Sequence, residues 1–319
     1  MLNWKTGVTA ALLAAGLAFG AQAQEYKQVD LVKPIDKKLT FIFIPKLIHP
    51  WYEELENGVK FAVEEYKKAG IEIAYVWDAP PQADVDEHNR RIETDIGRAP
   101  DGLAVSCLDP ATNISLIDEA IANKLNVITF DTACDPKYPF VGHRLDEQDG
   151  RDLANFLADK LGGKGKVGIL SGSLTAPNHV ARVVGFKDEM AKKHPDIQIV
   201  FEQPDNDSLE TAVTLTENAL QANPDLAGMF GANASAPIGA GRAVQAANMT
   251  GKTLVVGMDA LPETVQLIQD GVVVGVKSQR QWEIGYWAVK YLVAMNQNHT
   301  IPMDHPTGSV VMTKETFSK

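Results

Sequence analysis

From residue 39 to residue 296 the chain repeats one unit: a short apolar run, a turn, then a helical stretch. Phe41-Ile42-Phe43-Ile44 has no apolar–polar alternation, which suits a strand covered on both faces of a parallel sheet. A turn with two prolines follows, and Leu55, Val59, Ala62, Val63 and Tyr66 then fall on one helical face. The same reading predicts strands over 39–45, 71–77, 102–106, 127–130, 166–171, 197–202, 226–231, 253–258 and 272–277. Helices are predicted between them, over 51–68, 83–97, from 110, and over 148–161, 177–193, 208–222, 235–247, 262–270 and 282–296. Gly70 stops the first helix, and Asp109-Pro110 opens the third with a capping side chain and a first-turn proline. Strands and helices alternating at this pace require parallel sheets with right-handed crossovers. The rhythm pauses over 133–149, at Pro136 and Pro139, and then resumes. The expectation is an α/β fold of two Rossmann-like lobes, for which 319 residues are ample.

The first residues stand apart from this pattern. Lys5, an apolar run from Val8 to Phe19, and Ala21-Gln22-Ala23 form a signal peptide over 1–23, cleaved after Ala23. The apolar run is short for a membrane span, and no cysteine follows it to carry a lipid. The mature chain is therefore expected in the periplasm, without stable membrane insertion, as a monomer. The full sequence's net charge of −11 argues against nucleic acid and anionic membrane surfaces as partners. Cys107 and Cys134 each follow a predicted strand, one βα unit apart. An oxidising compartment permits a disulfide between them; two separate buried thiols are the alternative.

The chemistry of an enzyme is missing. The sequence has no G-x-S-x-G elbow, no H-E-x-x-H and no paired CxxC, and its seven histidines are scattered. Gly162-Gly163-Lys164-Gly165-Lys166 precedes a strand instead of following one, and reads as a helix stop and tight turn. No cofactor or metal is expected. Asp131 and Asp259 do close predicted strands. Each is half of an acid–base pair or an acceptor for ligand hydroxyls, and Asp259 is also placed to cap the helix after it. With no nucleophile beside them, binding is the better reading. Lys46, His49, Trp51 and Tyr52 lie where the first strand hands over to a helix, the place where open α/β sheets bind ligands. The alternative is that the two aromatics only cover the buried face of that helix.

In this order and spacing the motifs resemble the type I periplasmic sugar-binding proteins, over essentially the whole mature chain. His49-Pro50-Trp51-Tyr52 is similar to the family's Asn-Pro-Phe-Phe segment. Strand ends at Asp131, Gly231-Ala232-Asn233 and Asp259 resemble those that carry its binding residues. Arg182 before Gly185-Phe186, and Gln279 before Ile284-Gly285, match its binding Arg and hinge-side Gln. The resemblance implies a non-enzymatic protein that closes two lobes on a monosaccharide or sugar alcohol and delivers it to an ABC importer permease. It implies a site of Lys46, His49, Trp51, Tyr52, Asp131, Arg182, Asn233, Asp259 and Gln279, with Ser106, Asn178, His179 and Asp207 as further members. Aromatics would cover the sugar's C–H faces while charged and amide groups bind its rim. It also implies three chain crossings, near 143–145, 279–281 and 304–308. They bound one lobe at 24–143 with 280–305 and another at 144–279 with 306–319.

Two positions depart from the family. Its Asp-Arg pair is Asp131-Thr132 here, so one guanidinium is replaced, with Lys46 as the candidate substitute. Where ribose-binding members carry an aromatic, this chain reads Asp205-Asn206-Asp207, and Asp207 either faces the ligand or caps the next helix. Phe43-Ile44-Pro45-Lys46-Leu47 also resembles receptors for a furanosyl autoinducer. A sensor subunit docking on a histidine kinase, and an exported sugar-modifying enzyme, are the other readings.

Overall fold

The computed structural model describes residues 33–318, so the signal-peptide segment lies outside the described residues. Strands β1 (Leu39–Ile44), β2 (Ile73–Trp77), β3 (Gly102–Val105), β4 (Val127–Phe130) and β5 (Phe140–Gly142) alternate with helices α1 (Pro50–Lys68), α2 (Val85–Gly97) and α3 (Pro110–Ala122). The second set comprises β6 (Gly165–Leu170), β7 (Ile197–Gln203), β8 (Leu226–Gly231), β9 (Leu254–Met258) and β10 (Val273–Gln279). It carries α4 (Asp146–Leu161), α5 (Pro177–Lys193), α6 (Leu209–Ala222), α7 (Ser235–Ala246) and α8 (Pro262–Gln269). The chain then returns to the first set through α9 (Gln281–Asn296) and β11 (Asp304–Pro306), and closes on the second with β12 (Ser309–Met312).

The two sheets have the same strand order, β2-β1-β3-β4-β5-β11 and β7-β6-β8-β9-β10-β12. In each, the order reverses beside the first strand, which leaves a crevice at the carboxyl ends of β1 and β3, and of β6 and β8. β1 is buried almost throughout and pairs in parallel with β2 and β3, as its unbroken apolar run demands. Three short strands, β5, β11 and β12, were not anticipated. Segments of three or four residues carry no periodicity, and these extend sheets that longer strands have already laid down. β12 also runs antiparallel to β10, an exception to the expected all-parallel order. It can do so because it enters from the other lobe instead of through a helical crossover.

Both lobes use one packing device. A Cβ on Gly58 of α1 would lie 2.0 Å from the Trp282 carbonyl oxygen of α9, and one on Gly285 would lie 2.0 Å from that of Leu55. Likewise a Cβ on Gly150 of α4 would meet the Arg182 carbonyl of α5 at 2.0 Å, and one on Gly185 that of Glu147 at 1.9 Å. Glycine at these crossings lets the backbones touch, and it draws Arg182 up against α4.

The chain passes between the sheets over 143–145, at 280 and over 307–308. Asp149, buried at the start of α4, reaches toward all three passages. Its Oδ2 lies 2.7 Å from His143 Nε2, and its Oδ1 lies 3.2 Å from Lys277 Nζ and accepts from Ser309 Oγ at 3.1 Å.

Cys107 and Cys134 form a disulfide, with Cα atoms 5.2 Å apart. It joins the loop after β3 to the loop after β4, and the Cys107 amide donates to the Thr132 carbonyl at 3.0 Å. Closing a loop of 27 residues constrains the unfolded chain by about 3 kcal/mol. A Cys107→Ser, Cys134→Ser double variant is expected to lose about that much in urea unfolding; an unchanged midpoint would show that the bond adds nothing.

Candidate ligand-binding cleft

The strand ends of both sheets converge on a narrow cavity of about 30 Å³, well below the roughly 300–1,000 Å³ typical of ligand pockets. It is lined by Lys46, His49, Trp51, Tyr52 and Asp131 from the first lobe, and by Asn178, His179, Arg182, Asp207, Asn233, Asp259 and Gln279 from the second. Leu47 and Ala234 complete the lining. Of the residues expected from sequence, Ser106 alone is not on this wall; it stands behind Asp131, with its hydroxyl 2.7 Å from Oδ2.

Asp131 and Asp259 occupy matching places, one residue beyond β4 and β9, and both have left-handed backbones, φ 59° and 64°. Aspartate tolerates this region better than most side chains. The Asp131 amide donates to the Val141 carbonyl at 3.0 Å and that of Asp259 to the Lys277 carbonyl at 2.8 Å, so the strand ladder continues to the turn. Asp131 Oδ2 accepts from the Tyr52 hydroxyl at 2.7 Å, from Ser106, and from the Thr132 hydroxyl at 3.2 Å, and the Lys46 ammonium is 3.5 Å away. Among the described residues no bond falls on Oδ1. Asp259 Oδ1 accepts from the Gln279 amide at 2.9 Å, and Oδ2 from its side-chain Nε2 at 3.2 Å. The helix after it begins beyond Leu261 with no side-chain cap, so Asp259 is no helix cap. Burial raises its pKa, opposed by the charge of Arg182.

Tyr52 is held as much by packing as by its hydroxyl. Its ring meets Trp51, Trp77 and Phe130 edge-on at 4.9, 6.3 and 6.4 Å. The two aromatics thus both cover the core and line the cavity. Burial, then the Asp131 charge, raise the Tyr52 pKa well above its usual value, so it stays a donor to Asp131. Lys46 extends from the end of β1 to the Thr132 hydroxyl at 3.2 Å and to Asn178 Oδ1 of the other lobe at 3.4 Å. A cation therefore lies beside the position where the family's arginine is replaced.

His49 caps α1: its Nδ1 accepts from the Trp51 amide at 3.0 Å, which leaves the proton on Nε2, 2.8 Å from Ser235 Oγ across the cleft. Burial, with the neighbouring Lys46 charge, lowers its pKa to about 4. His179 Nδ1 accepts from the Ser173 amide at 3.0 Å, and burial with the Lys46 and Arg182 charges holds it neutral too.

Arg182 is almost wholly buried. Its Nε and Nη2 reach Asp146 Oδ1 at 2.9 and 2.8 Å, and its Nη1 donates to the Ala232 carbonyl at 3.0 Å. Asp146 and Ser235 were missed in the sequence because each matters only through a contact with a distant element. Asn233 donates to Asp205 Oδ2 at 2.6 Å and accepts from the Ala236 amide at 2.8 Å. Asp205 was visible in the sequence only as part of an acidic string; here it also accepts from the Gly172 amide at 2.8 Å. Among the described residues the Gln279 side-chain oxygen is buried without a partner.

A family model described as a periplasmic binding protein domain matches residues 41–299. The chain belongs to that family. It is 25% identical over 273 residues to the D-allose-binding periplasmic protein of Escherichia coli, covering 82% of this chain and 86% of that one. It is 28% identical over 249 residues to the ribose import binding protein of Bacillus subtilis, covering 77% and 78%. Among solved structures, a solute-binding protein of an ABC transporter from Burkholderia graminis, in complex with D-arabinose, superposes with a TM-score of 0.82 at 30% identity, over 90% of this chain and 99% of that one. The two-lobe α/β fold is that of sugar-binding proteins, and the chain is a binder and not an enzyme.

The cap on α1 gives a testable pH dependence. The unfolded chain takes up a proton on His49 near its usual pKa of about 6.5, the folded chain only near 4. The stability this group contributes is therefore complete above pH 6.5 and is lost as the pH falls through 4, at most about 3 kcal/mol. His49→Asn keeps a good capping side chain and should lose stability less steeply than the wild type between pH 6.5 and 4 in chemical unfolding; parallel curves would show that His49 does not titrate in this way.

Proposed function

We propose that the protein captures a monosaccharide or sugar alcohol between its lobes in the periplasm and delivers it to an ABC importer. The observation that carries this reading is the cavity itself, walled by polar side chains from the strand ends of both lobes, with a buried Gln279 oxygen that has no partner among the described residues. A sugar supplies a ring of hydroxyls to such acceptors and two apolar faces to Trp51 and Tyr52. Hydrogen bonds to charged groups contribute about 1.5–3 kcal/mol each, and a mismatched epimer leaves one of them empty. On this reading Lys46, His49, Trp51, Tyr52 and Asp131 meet the ligand from one side, and Asn178, His179, Arg182, Asn233, Asp259 and Gln279 from the other. Ser106 supports Asp131. The lobes, 33–143 with 280–306 and 144–279 with 307–318, close as units about the three passages, the last of which lies just beyond the expected bound at 305. The relatives described as binding D-allose and D-arabinose support a ligand of this chemistry.

A thermal-shift screen of the mature protein against pentoses, hexoses, polyols, amino sugars and the furanosyl autoinducer tests the reading. A ligand at a thousand times its dissociation constant adds about 4 kcal/mol, a shift of several degrees. A response confined to the autoinducer would sink the sugar reading. Asp131→Asn keeps the left-handed turn and removes the charge; calorimetry with the best ligand should register a loss of at least about tenfold in affinity, with little change in melting temperature. Unchanged affinity would remove Asp131 from the site.

A further inference from the structure

Asp207 stands at the turn between β7 and α6, with a left-handed backbone, φ 58°, preceded by Asn206 at φ 51°. Two successive non-glycine residues in that region hold only where the surroundings enforce it. Here the enforcement comes from the same lobe: the Asn206 amide donates to the Gly172 carbonyl at 3.3 Å and the Ser208 amide to the Asp205 carbonyl at 2.9 Å. The Ser235 hydroxyl donates to the Asp207 carbonyl at 3.0 Å, and His49 Nε2 of the other lobe is 2.8 Å from the same hydroxyl. Asp207 does not cap α6, because the Ser208 hydroxyl already accepts from the Thr211 amide. Among the described residues its carboxylate makes no hydrogen bond; His179 Nε2 lies 3.9 Å from Oδ2. It is nonetheless buried and lines the cavity.

The groups around it are short of donors. Lys46 is shared among Thr132, Asn178 and Asp131, and Arg182 is engaged by Asp146 and Ala232. Three lining carboxylates, Asp131, Asp207 and Asp259, face these two cations. Such a wall accepts hydrogen bonds from a neutral ligand and repels a further carboxylate.

We infer that Asp207 is a specificity-determining residue, accepting a hydrogen bond from one ligand hydroxyl, so that the site takes neutral polyhydroxy ligands and rejects both the analogue lacking that hydroxyl and the corresponding sugar acid. This rests on the binding reading above and deepens it.

The test uses the mature wild-type protein and two variants. Asp207→Gly accepts the left-handed turn without strain and removes the carboxylate; Asp207→Asn removes only the charge. D-ribose, D-arabinose, D-allose and xylitol are titrated by calorimetry, and the tightest binder is then compared with its monodeoxy analogues and its acid. The wild type should prefer the parent over one monodeoxy analogue by at least about tenfold, and Asp207→Gly should reduce that one preference to within about threefold while leaving the others intact. Asp207→Asn should narrow the gap between parent and acid by about tenfold. If Asp207→Gly weakens every analogue alike, or keeps the full preference, or if the acid gap does not move in Asp207→Asn, Asp207 does not read the ligand. If the wild type binds none of the four compounds, the sugar-binding reading falls first and this inference with it.

Discussion

Burying a carboxylate is costly unless donors meet it, and Asp131 and Asp259 are held in the way that constraint demands. Asp131 and Asp259 each end a central parallel strand, continue its backbone ladder and then turn left-handed. Each finds its donors on neighbouring strand ends or the helix opposite: Tyr52, Ser106 and Thr132 for one, Gln279 for the other. Packing of Tyr52 among Trp51, Trp77 and Phe130 is therefore part of how Asp131 is held. The disulfide fixes the loop that carries Thr132 from the other side.

Ala234 and Leu261 of the second lobe pack against the apolar cluster of the first, and polar contacts also bridge the two. Lys46 to Asn178 and His49 to Ser235 join groups that water satisfies as well when the lobes part. On the proposed reading a ligand would add to these contacts on closure, which suits a binder that must also release. The neutral state of His49 and His179 fits this design, since protonation would bring more positive charge beside Lys46.

Much of this was legible in the sequence. The long strands and helices were placed within a few residues because apolar runs, caps and glycine stops act locally. Strand ends are where this architecture puts its site, so position along the rhythm marked Asp131 and Asp259, and the family resemblance marked Asn233 and Gln279. What was not legible depends on partners far away in the chain. Asp146 holds Arg182, Ser235 links His49 to Asp207, and Asp149 joins the three passages. None of these serines and aspartates differs locally from a helix cap. The short strands β5, β11 and β12 escaped for the same reason, since their pairing exists only after the longer strands have assembled. Gly185 and Gly285 were noticed as neighbours of binding residues; their physical role is to let helices touch.

The convergence of three chain passages on Asp149 has a mechanical consequence. On the proposed reading, three tethers would resist torsion between the lobes, because twisting would stretch at least one of them, and would leave a single soft rotation. Gln279 lies one residue before the passage at 280, whereas Ile48 and Asn206 line an outer opening. A small angle then moves the rim a long way and the floor hardly at all. A solute would meet Gln279 and Asp259 while the jaws are still wide, and the lever arm would bring Lys46 and Asp207 onto it last.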